Sequence, residues 1–285
     1  MLTCSLGWAA LDVLRKLLSP HLSPLAVVFW VALGQLPVLA LWGASAGFDL
    51  PSPRYLAVAA GSVALNVVAN VAFVKALAKS PLSLTVPLLS LIPALTAAFA
   101  VPLLGERLDP VHVAGIVLVV AGALLLGGAM AGGLSLVAWC RALLREPGTP
   151  LMLTVALCWA LALPLDKLGV QEVGAAHHGA ALCGGVAFST LALLLLRGGR
   201  AELRLSWRVA PLLAAAVAVA IVALATQLLA IGVVYVGVVE AVKRVIGNVG
   251  ALIAGAALFR EPIGWRKSLA LAAMAGGVAL ILLPG

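Results

Sequence analysis

Stretches of about 20 apolar residues follow one another along the whole of this 285-residue chain, with only short polar gaps between them. A stretch of that length spans the hydrocarbon core of a bilayer as a helix. Ten can be marked, at 2–18, 22–46, 54–78, 82–104, 110–131, 150–168, 176–196, 209–232, 237–259 and 266–283. Nothing of soluble-domain size is left over. Charged residues make up 10% of the chain, against roughly 25% in soluble proteins. The segments are rich in Ala, Leu, Val and Gly without two-residue alternation, so the sequence predicts an all-α integral membrane bundle and not an outer-membrane barrel.

The net charge of +8 comes from basic residues gathered in the short loops. That pattern fits the cytoplasmic Lys/Arg excess of membrane proteins better than nucleic-acid binding. Loops 1–2, 3–4, 5–6, 7–8 and 9–10 carry 13 Lys and Arg, and the opposite loops carry 3. The expectation is a bacterial inner-membrane protein with both termini in the periplasm. Cys4, Cys140, Cys158 and Cys183 lack metal-ligand spacing, so neither metal nor cofactor is expected. No HExxH, GxSxG or Walker A pattern is present, which argues against an enzyme.

The two halves match weakly but in order. Trp8 and Lys16 answer Trp159 and Lys167 at an offset of 151. Leu104-Gly105-Glu106-Arg107-Leu108 answers Phe259-Arg260-Glu261-Pro262-Ile263 at an offset of 155, and Gly122 answers Gly277 at the same offset. Two five-helix copies are therefore expected, residues 1–131 and 150–285. The linker 132–149 is either a helix along the membrane surface or a plain loop. An odd number of helices per copy inverts the second copy, the plan of secondary transporters with a midplane site.

Charges inside segment 9 are the main chemical signal. Glu240, Lys243 and Arg244 are the only charged residues from Pro211 to Phe259, and with Gly247 they share one helical face. Intramembrane charges are costly and point to function. Arg244 and Lys243 suit a carboxylate or phosphate, and Glu240 suits an amino group or a proton. Alternatively, Glu240 pairs with Arg244 along the helix while Lys243 snorkels. Asn66 and Asn70 at i, i+4 in segment 3, Ser90 in segment 4 and Gln227 in segment 8 are further candidates for substrate contact or helix packing. Pro87 and Pro93 interrupt segment 4 and make it a candidate hinge. Asp12, one turn before Lys16, is a local ion-pair partner or, with Glu240, a proton carrier. His177 and His178 open segment 7 and read as interfacial.

The Glu106 and Glu261 turns and the doubled five-helix plan resemble the drug/metabolite transporter superfamily, specifically its EamA-type ten-helix exporters and their YddG-type amino-acid exporter branch. That resemblance implies alternating-access export of amino acids or related small metabolites by a monomer surrounded by membrane lipid. Lys243-Arg244-Val245 also resembles the Lys-Arg pair of the plastid phosphate translocators, which implies that Lys243 and Arg244 are anion ligands. Glu240, one turn earlier, departs from that pattern and favours a zwitterion over a strongly anionic substrate. A phosphorylated-metabolite or organic-anion exchanger and a non-transporting membrane scaffold remain the alternatives. A reporter fused after Gly285 that is active on only one side of the membrane is expected to work in the periplasm; cytoplasmic activity would overturn the charge count.

Overall fold

Two Ser-Pro pairs open long helices. Ser23 and Ser52 each accept a hydrogen bond from the backbone N–H three residues on, and Pro24 and Pro53 occupy the first helical position, where no N–H is needed. The computed structural model describes residues 1–47, 51–80, 85–130, 136–259 and 264–281. The Arg260–Ile263 match, including Glu261, lies outside the described residues. Ten helices occur among them: α1 (Leu2–Leu18), α2 (Pro24–Ser45), α3 (Pro53–Lys79), α4 (Ile92–Leu104), α5 (Pro110–Met130), α6 (Leu136–Arg145), α7 (Thr149–Leu196), α8 (Ala210–Val233), α9 (Val236–Phe259) and α10 (Trp265–Ile281). Short 3₁₀ turns cover Val86–Leu91 and Gly199–Leu203.

By length and composition, six of the described helices are long and apolar enough to cross a membrane. α1 and α10 have 17 residues each. α7 has 48 and would measure about 72 Å if straight, but it is not straight. Gly174 has φ 80° and ψ 160°, a backbone state open to glycine. Asp166 and His178, twelve residues apart, lie 3.1 Å from each other, where a continuous helix would separate them by about 18 Å. α7 therefore doubles back at Gly174 into two arms, 149–173 and 175–196.

Segment 4 is not one continuous helix. Pro87 lies in the 3₁₀ turn Val86–Leu91, and Pro93 occupies the first turn of α4, where its missing N–H costs nothing. Gly105, at φ 66°, closes α4 in the left-handed state and turns the chain into Glu106. The linker is helical over Leu136–Arg145. Its Trp139 and Leu143 are buried and Arg141 and Arg145 exposed.

Helices meet through glycines. A Cβ at Gly277 would lie 2.6 Å from the Gly115 carbonyl oxygen, and one at Gly122 would lie 2.8 Å from that of Ala270. These contacts hold α5 against α10. Gly7 faces Ala223 between α1 and α8, Gly34 faces Val217 between α2 and α8, Gly185 faces Val63 between α7 and α3, and Gly237 faces Ala97 between α9 and α4. Close backbone approach through small residues is how helices pack in lipid, where burial of apolar surface drives nothing. Large apolar side chains such as Leu41, Phe188 and Leu196 remain exposed on the outside, as a lipid-facing surface requires. Gly277→Ala should push α5 from α10 and destabilise the protein by about 1–3 kcal/mol. A lower thermal unfolding midpoint in detergent would show it, and an unchanged midpoint would contradict the packing.

Candidate functional site

Trp8, Asp12 and Arg15 follow one another at spacings of four and three in α1, so they share a face. Trp8 and Arg15 line a cavity of about 60 Å³ between α1, α2, α3, the second arm of α7 and α8. Polar groups on its wall are Trp8, Arg15, Gln35, Asn66 and Asn70. Leu11, Val28, Val31, Leu182, Val186 and Leu224 supply apolar surface. The volume suits a small solute or a few waters and lies well below the roughly 300–1,000 Å³ of drug-sized pockets.

Arg15 is buried. Its Nη2 donates to Asn70 Oδ1 at 2.8 Å. Its Nη1 lies 3.8 Å from Asp12 Oδ1, an ion pair too long for a hydrogen bond, and has no hydrogen-bond partner. The Trp8 indole N–H is likewise buried without a partner. Asn66 and Asn70 each donate their amide N–H to the carbonyl four residues back, at 3.1 and 2.8 Å. Asn66 Oδ1 is thereby left as an acceptor beside the cavity.

The α9 charges lie across Trp8 from Arg15. Lys243 Nζ is 5.4 Å from the Trp8 ring centroid and the Arg15 guanidinium carbon 5.8 Å, both within cation–π range. Glu240 is fully buried and pairs with Lys243 and, at 3.6 Å, with Arg244. Lys243 also donates to Gln227 Oε1 at 3.1 Å. Lys243 therefore does not snorkel; Glu240, Trp8 and Gln227 hold it inside. Asp12 pairs with Arg15, not Lys16, because Lys16 donates to the Leu77 carbonyl at the end of α3.

The structure thus brings Asn66, Asn70, Gln227, Glu240, Lys243, Arg244 and Asp12 into one polar neighbourhood around Trp8. Ser90 is buried in the 3₁₀ turn with Pro87, which packs against Gly127, and none of Ser90, Pro87 and Pro93 lines the cavity. Arg15 and Trp8 are the residues that sequence reasoning missed. Arg15 looks like a loop charge when segment 1 is taken to its end. The signal that could have found it is its spacing from Trp8 and Asp12.

A second buried ion pair lies where α4, the first arm of α7 and α8 end. Lys167 Nζ donates to Glu106 Oε1 at 2.7 Å and to the Val234 carbonyl at 2.9 Å. His178, near the Gly174 reversal, is fully buried against Asp166.

Residues 1–128 match the sequence model of the EamA-like transporter family. The match covers the first half of the fold, and over those residues the chain is similar to that family. No curated protein matches the sequence. A solved structure described only as the crystal structure of a protein shares the fold: its TM-score is 0.72 at 22% identity, over 98% of this chain and 94% of that one. The Gly105-Glu106 turn, on which the resemblance to the drug/metabolite transporter superfamily partly rests, is thus a structural joint: its carboxylate reaches 61 residues along the chain to Lys167. Breaking one partner of a buried pair costs about 3–5 kcal/mol. Glu106→Gln should lower the unfolding midpoint markedly, and Glu106→Gln combined with Lys167→Met should recover most of the loss. Equal loss in the double variant would contradict the pairing.

Proposed function

We propose that this protein is an inner-membrane secondary exporter of amino acids or similar small metabolites, as in the YddG-type branch. It works by alternating access between two inverted five-helix repeats, with no cofactor and as a monomer. The packing supports the repeat. Under the 155-residue offset, Gly115 corresponds to Ala270 and Gly122 to Gly277. The contact of Gly115 with Gly277 then maps onto that of Gly122 with Ala270. Lys16 and Lys167, which correspond in the two halves, each donate to a carbonyl at the end of a facing helix, Leu77 on α3 and Val234 after α8. With buried Arg15 and Lys167 set aside, the loop count of basic residues stands at 12 against 2, which keeps the termini periplasmic in this reading.

The unpartnered Arg15 Nη1 on the cavity wall carries the substrate reading. A buried donor without a partner is costly, and a carboxylate would satisfy it together with the Trp8 N–H. Asn66 Oδ1 is placed to accept from an ammonium group, and the aliphatic wall takes a side chain. Glu240 already neutralises one of the two α9 cations, so Glu240, Lys243, Arg244, Asp12 and Arg15 sum to a single positive charge. That balance favours a zwitterion over a phosphorylated dianion. Gln227, Glu240, Lys243 and Arg244 lie outside the cavity lining and reach it through the contact of Lys243 with Trp8 in this scheme, and the Pro87–Pro93 break in segment 4 is the hinge.

Proteoliposome counterflow across a panel of amino acids tests the proposal. A hydrogen bond to a charged group contributes about 1.5–3 kcal/mol, so Arg15→Ala should raise KM roughly ten- to hundredfold, and Arg244→Ala should also abolish most flux. Wild-type transport by well-folded Arg15→Ala protein would sink the site. Counterflow with sugar phosphates alone would favour an anion exchanger, and binding without flux a scaffold.

A further inference from the structure

Away from the α9 charges, a continuous chain of hydrogen bonds runs along α3 and leaves the cavity. Asn66 Nδ2 donates to Ser62 Oγ at 3.2 Å. Ser62 Oγ donates to Asp166 Oδ1. The same carboxylate oxygen lies 3.1 Å from His178 Nε2, and His178 Nδ1 lies 3.4 Å from the Tyr55 hydroxyl. His178 and Ser62 are fully buried, Asp166 and Tyr55 nearly so. Tyr55 is the third residue of α3, so the chain reaches from the α2–α3 end of the helix to the cavity wall. Gly169 leaves the space the imidazole fills: a Cβ there would lie 2.3 Å from His178 Nδ1.

We propose that Asp166 and His178 form a proton-binding site that couples transport to proton movement. Asp166 Oδ1 accepts from Ser62 Oγ and faces His178 Nε2; in the proposed site Asp166 is the ionised partner. His178 must then carry its proton on Nε2, facing that carboxylate. Its Nδ1 is the one position left to choose. When Nδ1 accepts from the Tyr55 hydroxyl, the pair holds a buried net charge of −1. When a proton binds Nδ1, the N–H bond formed makes an imidazolium, the Tyr55 O–H turns away, and the pair becomes neutral overall. On α3, Arg54 is exposed beside Tyr55, and Lys75 and Lys79 lie at the far end of the helix. α2 and α8, which pack on the second arm of α7, contain no titratable side chain. On α7 itself Lys167 is directed to Glu106 and the Val234 carbonyl, Glu172 accepts from Ser52 of the turn before α3, and His177 contacts the Val173 carbonyl.

Two features make this site a coupling device and not only a structural knot. It bridges α3 to both arms of α7 at the Gly174 reversal, so its charge acts on the joint between those elements. It also connects through Ser62 to Asn66, a residue of the cavity wall, by direct bonds. Asp12 and Glu240, the other intramembrane acids near the cavity, are already paired with cations. The coupling rests on the transporter reading above; proton binding by the pair does not.

The full chain, labelled with ¹⁵N-histidine and reconstituted in nanodiscs, tests the site directly. The chain has four histidines, so the His178 signal is the one missing in His178→Gln. It should show the Nε2–H tautomer at high pH, become doubly protonated as pH falls from 9 to 5, and lose that behaviour in Asp166→Asn. A His178 signal in one protonation state across the range, or one unaffected by Asp166→Asn, would overturn the site. In proteoliposomes with L-alanine as the probe, an imposed pH gradient should drive accumulation at least tenfold over the ungraded control. Tyr55→Phe, which removes the bond that keeps Nδ1 free of a proton, should move the acid limb of the flux profile toward higher pH. Alanine counterflow indifferent to the gradient would overturn the coupling. No alanine flux would count against the transport reading, and the histidine titration would still decide the proton site.

Discussion

A charge inside an apolar helix bundle persists only where another charge or a hydrogen-bond donor meets it, because lipid offers neither. That constraint organises the interior of this protein. Glu240 is held by Lys243 and Arg244, Lys167 by Glu106 and the Val234 carbonyl, Asp166 by Ser62 and His178, and Arg15 by Asn70 and Asp12. The last three sets each join two or more helices, and the first is tied to α8 through Lys243 and Gln227, so the polar side chains do the joining that apolar burial does in a water-soluble core. Among these sets, Arg15 is the one that lines the cavity, and its Nη1 has no hydrogen-bond partner.

Glycine supplies the complementary constraint. Polar side chains can meet only if helix backbones come close enough, and at Gly115, Gly277, Gly7 and Gly169 the approach leaves no room for a Cβ. Gly169 joins the two themes, since the space it gives up is the seat of the His178 ring. The reversal at Gly174 does the same at a larger scale: it brings Asp166 within reach of His178 and sets both arms of α7 against α3.

Much of this was legible from local pattern. Apolar runs of bilayer length located the helices, and Ser-Pro pairs marked two of their starts. The asparagines at i, i+4 in α3 and the three charges of α9 were visible as anomalies in apolar surroundings. The linker's alternation of Trp139 and Leu143 with Arg141 and Arg145 left helix and loop equally open, and burial of the apolar face decided for a helix. Segment 4 was legible as proline-broken, but not where the regular α-helix would resume.

The sequence by itself determined that this chain forms apolar helices of membrane length, because hydropathy and capping act over one or a few turns. Only the tertiary structure decided which polar groups meet. Arg15 finds Asn70 at a separation of 55 residues, Ser62 finds Asp166 at 104 and Tyr55 finds His178 at 123. Helical periodicity reports which face a residue occupies, not which helix that face will touch. For that reason Arg15 and Lys167 read as loop charges until the packing of α1, α3 and α7 showed both buried.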